Sequence, residues 1–347
     1  MEWREAMSNR FNYLTDKIKN ADFSDYPFRH IYIENFLSDS DFKEIITSDE
    51  INIPSSDSDE NLFDNLFDLS YQIVPFAGCI TDQQEYMNWH AGKKTSVDYN
   101  SACDGFGMAL RLDDPKTKIL QDIRSFLADE LFNQTISEKF GLELNLEEHI
   151  IDNGIQKYLD GYEISPHPDI RKKAITFMIN INPHENSEEL EHHAHLLEFE
   201  PEREYIKHFW AGNNDIDRCL MPWDWTKIVK SQTKNNSLVL FAPSNDTLHA
   251  VKASYDHLKA QRTQLYGNIW YQKDQALAKI PWENLDIIEL QKRNQDFNPV
   301  LQNLKSMIPQ SVKNLLTSYR KSYQTNVSRN KNVNLDRAEN FNQRNGQ

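Results

Sequence analysis

The chain has only three cysteines, Cys79, Cys103 and Cys219, widely spaced and odd in number. That excludes both a disulfide framework and a zinc ribbon. No uninterrupted apolar run approaches the length of a membrane span, and Met1 to Asn20 is interspersed with charges. Neither a spanning helix nor a secretory signal core is therefore expected, and the expected location is cytoplasmic. There is no internal repeat, which removes solenoids and propellers. Positive charge is outweighed, with 38 Lys and Arg against 53 Asp and Glu, and the formal net charge of −15 disfavours duplex nucleic acid as a partner.

What remains is a folded protein, 39% hydrophobic and 11% aromatic. At 347 residues it is long enough for one large domain with appendages. Its charge is uneven. From Lys305 onward there are eight basic residues and two acidic ones, a net +6 that leaves −21 for the rest. Such asymmetry marks a peripheral segment that contacts a partner or docks on the acidic body.

Trp3, Met7, Phe11, Leu14 and Ile18 recur at steps of three and four, so 1–25 is expected to hold an amphipathic helix. The run from Pro27 to Leu37 is β-rich. Ser38 and Ser40 supply helix-start chemistry before Phe42 to Ile46. Ser55 to Glu60 reads as a polar loop, Phe106 to Leu112 as a strand and Thr117 to Phe132 as one helix. From Gly154 short β-type runs follow one another: 155–159, 174–181, 193–199, 237–241 and 263–270. Strands at this spacing, mostly without helices between them, point to a sandwich or barrel rather than a doubly wound sheet. The aromatic segment 201–236 is expected to be an inserted lid. The main body is placed at 26–285, helices at 286–323 and a basic, disordered tail at 324–347. The helix from Pro309 is read as docked on the acidic body, with an anionic membrane surface or a protein partner as the alternative.

The chemistry gathers in a few residues. His167 and Asp169 lie two apart and, if both are on one strand, face the same side. A triplet this short arises by chance, but a β-type run from Ala174 to Asn182 follows it and His249 lies beyond a later strand. Two imidazoles and one carboxylate suit non-haem Fe(II), leaving coordination positions open. Arg262, thirteen residues past His249, is placed to hold an anionic cosubstrate through its planar fork. His193 and His195, with His208 nearby, are the rival metal set. They are read instead as lining or rimming the main pocket, with His195 touching substrate. Trp223 and Trp225 are candidate substrate walls, with packing as the equal alternative. Phe177, Met178 and Ile179 are expected in the core.

These residues, with Pro27-Phe28-x-x-Ile31-x-Ile33-x-x-Phe36-Leu37 upstream, resemble the prolyl-hydroxylase-like group of 2-oxoglutarate- and Fe(II)-dependent oxygenases. The resemblance runs from about Pro27 to about Gln272. It departs from the group where Glu191-His192-His193 replaces a Gly-Gly turn. It implies a mainly β fold with flanking helices, built on a double-stranded β-helix (jelly-roll) core. It also implies Fe(II) on His167, Asp169 and His249, and 2-oxoglutarate held by Arg262, with Tyr158 lining the pocket and Asn180 bonding the far carboxylate. O₂ would be consumed, with ascorbate as a reductant. The implied reaction is hydroxylation of an unactivated C–H in a small molecule, a sugar conjugate or a peptide side chain. The related halogenases lack the carboxylate that Asp169 supplies. Desaturation, epimerisation or demethylation by the same chemistry, or a silent jelly-roll binding module, are the alternatives.

Overall fold

Eight consecutive residues, Lys173–Asn180, are all buried, so this strand needs neighbours on both edges and cover on both faces. The rest of the fold supplies them. The computed structural model describes residues 10–271 apart from 76–78, 93–105, 145–148 and 214–217. All of these belong to the first of two compact units, 1–285. The expected C-terminal helices and basic tail, and the start of the N-terminal helix, lie outside the described residues.

The strands are β1 (Ile31–Glu34), β2 (Gln72–Ile73), β3 (Ala109–Leu112), β4 (Ile150–Tyr158), β5 (Glu163–His167) and β6 (Lys173–Asn180). They continue with β7 (Ala194–Phe199), β8 (Thr226–Ser231), β9 (Ser237–Phe241), β10 (His249–Lys252) and β11 (Arg262–Trp270). One sheet runs β1-β9-β6-β11-β4-β3-β2 and the other β5-β10-β7-β8. All pairings are antiparallel. From β4 onward the chain crosses between the sheets at nearly every connection, which winds it into a jelly roll.

Period-two alternation then sorts the larger sheet's side chains. Ile175, Phe177 and Ile179 join the cluster built with the helices, while Met178, Val239 and Phe241 fall between the sheets. Met178 is thus a core residue as expected, but of the layer between the sheets, where it also lines the interior cavity.

The helices are α1 (Tyr13–Asn20), α2 (Asp39–Ile46), α3 (Asp59–Asp68), α4 (Gln83–Ala91), α5 (Lys118–Ala128), α6 (Glu130–Lys139) and α7 (Tyr205–Gly212). Ser38 caps α2 through its hydroxyl, which accepts from the Asp41 amide at 3.1 Å. Three expectations are corrected. The single helix from Thr117 is two, because Asp129 is extended and its carboxylate accepts from the Leu131 amide to start α6. The polar stretch 55–60 is not all loop, since Ser58 caps α3 from Asp59. Segment 201–236 is not a pure insertion, since it carries β8, the edge strand of the smaller sheet. Among the described residues, no helix is long and apolar enough to cross a membrane.

Candidate active site

The antiparallel β5–β10 pair puts the last residue of one strand opposite the first of the other, and these are His167 and His249. Asp169 completes the group, with the ligand atoms of all three within 4.8 Å of one another. Asp169 Oδ1 is 3.8 Å from His167 Nε2, and Oδ2 is 3.8 Å from His249 Nε2. The reason Asp169 converges differs from the expected one. β5 ends at His167, and Asp169 sits beyond Pro168 with φ +76. A left-handed turn, which aspartate tolerates better than most residues, brings the carboxylate back; strand alternation does not.

Each imidazole is oriented from behind. His167 Nδ1 lies 2.8 Å from the Ser165 carbonyl and His249 Nδ1 2.9 Å from the Thr247 carbonyl. Those carbonyls accept only, so each Nδ1 carries the hydrogen and each Nε2 presents its lone pair to the group. Burial, and then the neighbouring His249, depress His167 to about 3, and burial also lowers His249. Both rings are thus neutral at ordinary pH. Burial alone would raise the Asp169 carboxyl, but Lys173 and the two histidines outweigh it and hold the group well below the usual range. Lys173 Nζ donates to Asp169 Oδ1 at 2.5 Å and Thr176 Oγ1 to Oδ2 at 2.7 Å. Sequence reasoning missed both. Their one signal is that Lys173 and Thr176 begin the strand right after the His-x-Asp turn.

The group opens on a cavity of about 330 Å³. Arg262, the first residue of β11, lies opposite Tyr158, the last of β4. Its guanidinium stands 4.3 Å over the Tyr158 ring and is 2% exposed. Both terminal nitrogens, Nη1 and Nη2, are buried without a hydrogen-bond partner. Burial lowers its pKa against the three neighbouring tyrosines, yet a guanidinium stays charged in a protein. A buried, unpaired fork facing the same cavity as a neutral His₂ and carboxylate set fits a metal ion and an anion carrying a distal carboxylate. Tyr162, Gln264 and Met178 also line this space.

The other expected residues lie elsewhere. Asn180 is not among the cavity-lining residues. Its amide donates to the Gln232 and Lys234 carbonyls and accepts from Gln264, which does line the cavity. His195 lies on the outer side of β7, one position out of phase with inward Leu196, and meets Ser231 Oγ at 2.8 Å. Trp223 and Trp225 pack there too, against Leu197, Ile206, Met221, Leu248 and Ala250. The Trp223 indole N–H donates to Glu163 Oε1 at 2.7 Å. From 201–236, Arg218, Cys219 and Leu220 are the described residues that reach the cavity.

No family model matches the chain, and no curated protein matches it in sequence. Among solved structures it is similar to a Pseudomonas putida prolyl-4-hydroxylase, at 11% identity and a TM-score of 0.33, over 76% of this chain and 99% of that one. It is also similar to a Trichoplax adhaerens prolyl hydroxylase, solved with a hypoxia-inducible factor oxygen degradation domain peptide fragment. That pair shares 16% identity at a TM-score of 0.36, over 77% and 91% of the two chains. A third is the epimerase SnoN, solved with Fe3+, alpha-ketoglutarate and nogalamycin RO, at 8% and 0.35 over 75% and 83%. The order of the strands in this chain's two sheets is that of a jelly roll.

Proposed function

We propose that this protein is a 2-oxoglutarate- and Fe(II)-dependent dioxygenase that hydroxylates an unactivated carbon. The observation that carries the reading is the buried Arg262 fork, without hydrogen-bond partners, on the cavity that His167, Asp169 and His249 face. A silent binding module has no need of a desolvated, unpaired cation and a preoriented ligand set together.

His167 Nε2, His249 Nε2 and an Asp169 oxygen would hold the iron, and Arg262 the far carboxylate of 2-oxoglutarate. Iron with 2-oxoglutarate and O₂ supplies the oxidising chemistry, in which R–H, 2-oxoglutarate and O₂ become R–OH, succinate and CO₂. The chain's own residues do the positioning. The Ser165 and Thr247 carbonyls fix the ring tautomers, while Lys173 and Thr176 hold the Asp169 carboxylate in place. The apolar lining from Val74, Ile164, Met178 and Val251 keeps water from competing at the reacting carbon. Candidate substrates are a small molecule, a sugar conjugate or a peptide side chain. Desaturation, epimerisation or demethylation would consume the same cosubstrates and is told apart by its product.

The direct test is anaerobic titration with Fe(II) and 2-oxoglutarate, watched for the metal-to-ligand charge-transfer band and followed by a metabolite screen for succinate release. A band that depends on both additions is expected. Its absence at saturating concentrations of each would overturn the assignment.

A further inference from the structure

We propose that Asp59, His90 and His257 form a second divalent-cation site, of the zinc type, separate from the iron triad. The three residues come from the start of α3, the last turn of α4 and the loop between β10 and β11. Their ligand atoms nonetheless lie within 4.8 Å of one another. One carboxylate serves both rings: Asp59 Oδ2 is 2.6 Å from His90 Nδ1, and Oδ1 is 2.8 Å from His257 Nε2. Imidazole nitrogen and carboxylate oxygen are the donors zinc takes, with a water able to complete four.

The surroundings match a metal site as well. His257 is fully buried, and Asp59 anchors its ring through Nε2. The Asp160 carboxylate lies behind His90, Oδ2 being 3.9 Å from Nε2. An outer carboxylate facing the far nitrogen of a ligating histidine is the usual orienting partner. Tyr86 covers both rings, at 6.0 Å from His90 and 5.9 Å from His257. A zinc ion about 2.0–2.2 Å from each donor sets neighbouring donors about 3.3 Å apart, an opening of under about 1 Å.

Such an ion would tie α3 and α4 to the loop that runs into Arg262. In that loop Gln261 Nε2 donates to the His257 carbonyl at 2.7 Å, Tyr255 N to Asp160 Oδ1 at 2.9 Å and Arg262 N to the Tyr255 hydroxyl at 2.9 Å. The site itself stands on its own geometry and does not depend on the oxygenase reading.

The experiment uses the full chain carrying His167→Ala and His249→Ala, which removes the triad as a competing site. After chelation this protein is equilibrated with zinc alone and desalted, and its metal content is measured alongside circular dichroism. One zinc per chain is expected, with binding at least tenfold weaker once Asp59→Asn is added. Should Asp59→Asn unfold the protein, His90→Gln, at a partly exposed ring, decides the matter by the same measurement. Failure of the folded double variant to retain zinc would overturn the proposal, leaving a hydrogen-bonded clasp. Undiminished zinc in the folded Asp59→Asn or His90→Gln protein would overturn it too.

Discussion

Replacing Arg262 with methionine should do two opposite things, and the pair is diagnostic. Without cosubstrate, the wild-type protein keeps two guanidinium nitrogens buried and unpaired. Each such group costs about 1–3 kcal/mol. The contact with the Tyr158 ring at 4.3 Å returns part of that, about 0.5–2 kcal/mol. The variant should therefore be more stable than wild type by about 1.5–4 kcal/mol in the absence of 2-oxoglutarate. For a domain of this size that is a rise in Tm of about 2–4 °C per kcal/mol. With cosubstrate the order reverses. A charge-assisted hydrogen bond to the fork is worth about 1.5–3 kcal/mol, and each 1.4 kcal/mol is about tenfold in affinity. A thioether side chain supplies neither of the two bonds, so 2-oxoglutarate should bind at least about a hundredfold more weakly. Wild type at about 100 Kd gains about 2.7 kcal/mol, and the variant at the same concentration almost nothing. Thermal melts under argon with Fe(II), with and without 2-oxoglutarate, read both effects. A variant that melts lower without cosubstrate yet keeps the full shift would refute the reasoning and send the search to Lys173 or Lys252.

Single replacement of His167, Asp169 or His249 by Ala should abolish iron retention and succinate formation with the circular dichroism unchanged; full turnover at limiting iron would remove that residue from the site. Trp223→Phe removes the donor to Glu163, which is 2% exposed, and should cost about 1–3 kcal/mol in urea unfolding. Cosubstrate turnover should stay intact in that variant, whereas a true lid residue would uncouple it. Gly161→Ala should also destabilise, because the added Cβ falls 2.1 Å from the Trp89 ring at φ +76; an unchanged denaturation midpoint would contradict this. Burial first, then nearby Arg262 and His193, lower His192 to about 2 and His195 to about 4. The native state then refuses protons that the unfolded chain takes up below about pH 6.5. Stability should be full above that pH and fall towards pH 4 by up to about 1.4 kcal/mol per group per unit. Urea midpoints that stay flat from about pH 7 to 5 would refute this.

Local chemistry was readable from the chain alone. Ser38 before an apolar helix face, the alternating runs from Gly154 onward, His-x-Asp followed by a β run, and an Arg opening the last strand all depend on neighbours within a few residues. Alternating short strands must bury one face against a second sheet, which points to a sandwich or barrel; the jelly roll among these was implied by the family resemblance. The parity of each strand was not readable. One register step separates Leu196, between the sheets, from His195 outside, and composition is silent on which way the step falls. The same holds for Trp223 and Trp225, whose bulk fits a pocket wall or an outer cluster equally well until the sheet beneath them exists. Asp169 reaches the triad through a left-handed turn that no spacing rule reports. His90 and His257 stand 31 and 198 positions from Asp59, the aspartate they share, so only tertiary packing could bring those side chains together. Residue type and short spacing thus determined which groups could do chemistry here. Which of them meet was decided by the folded sheets, since convergence over such distances is a property of packing.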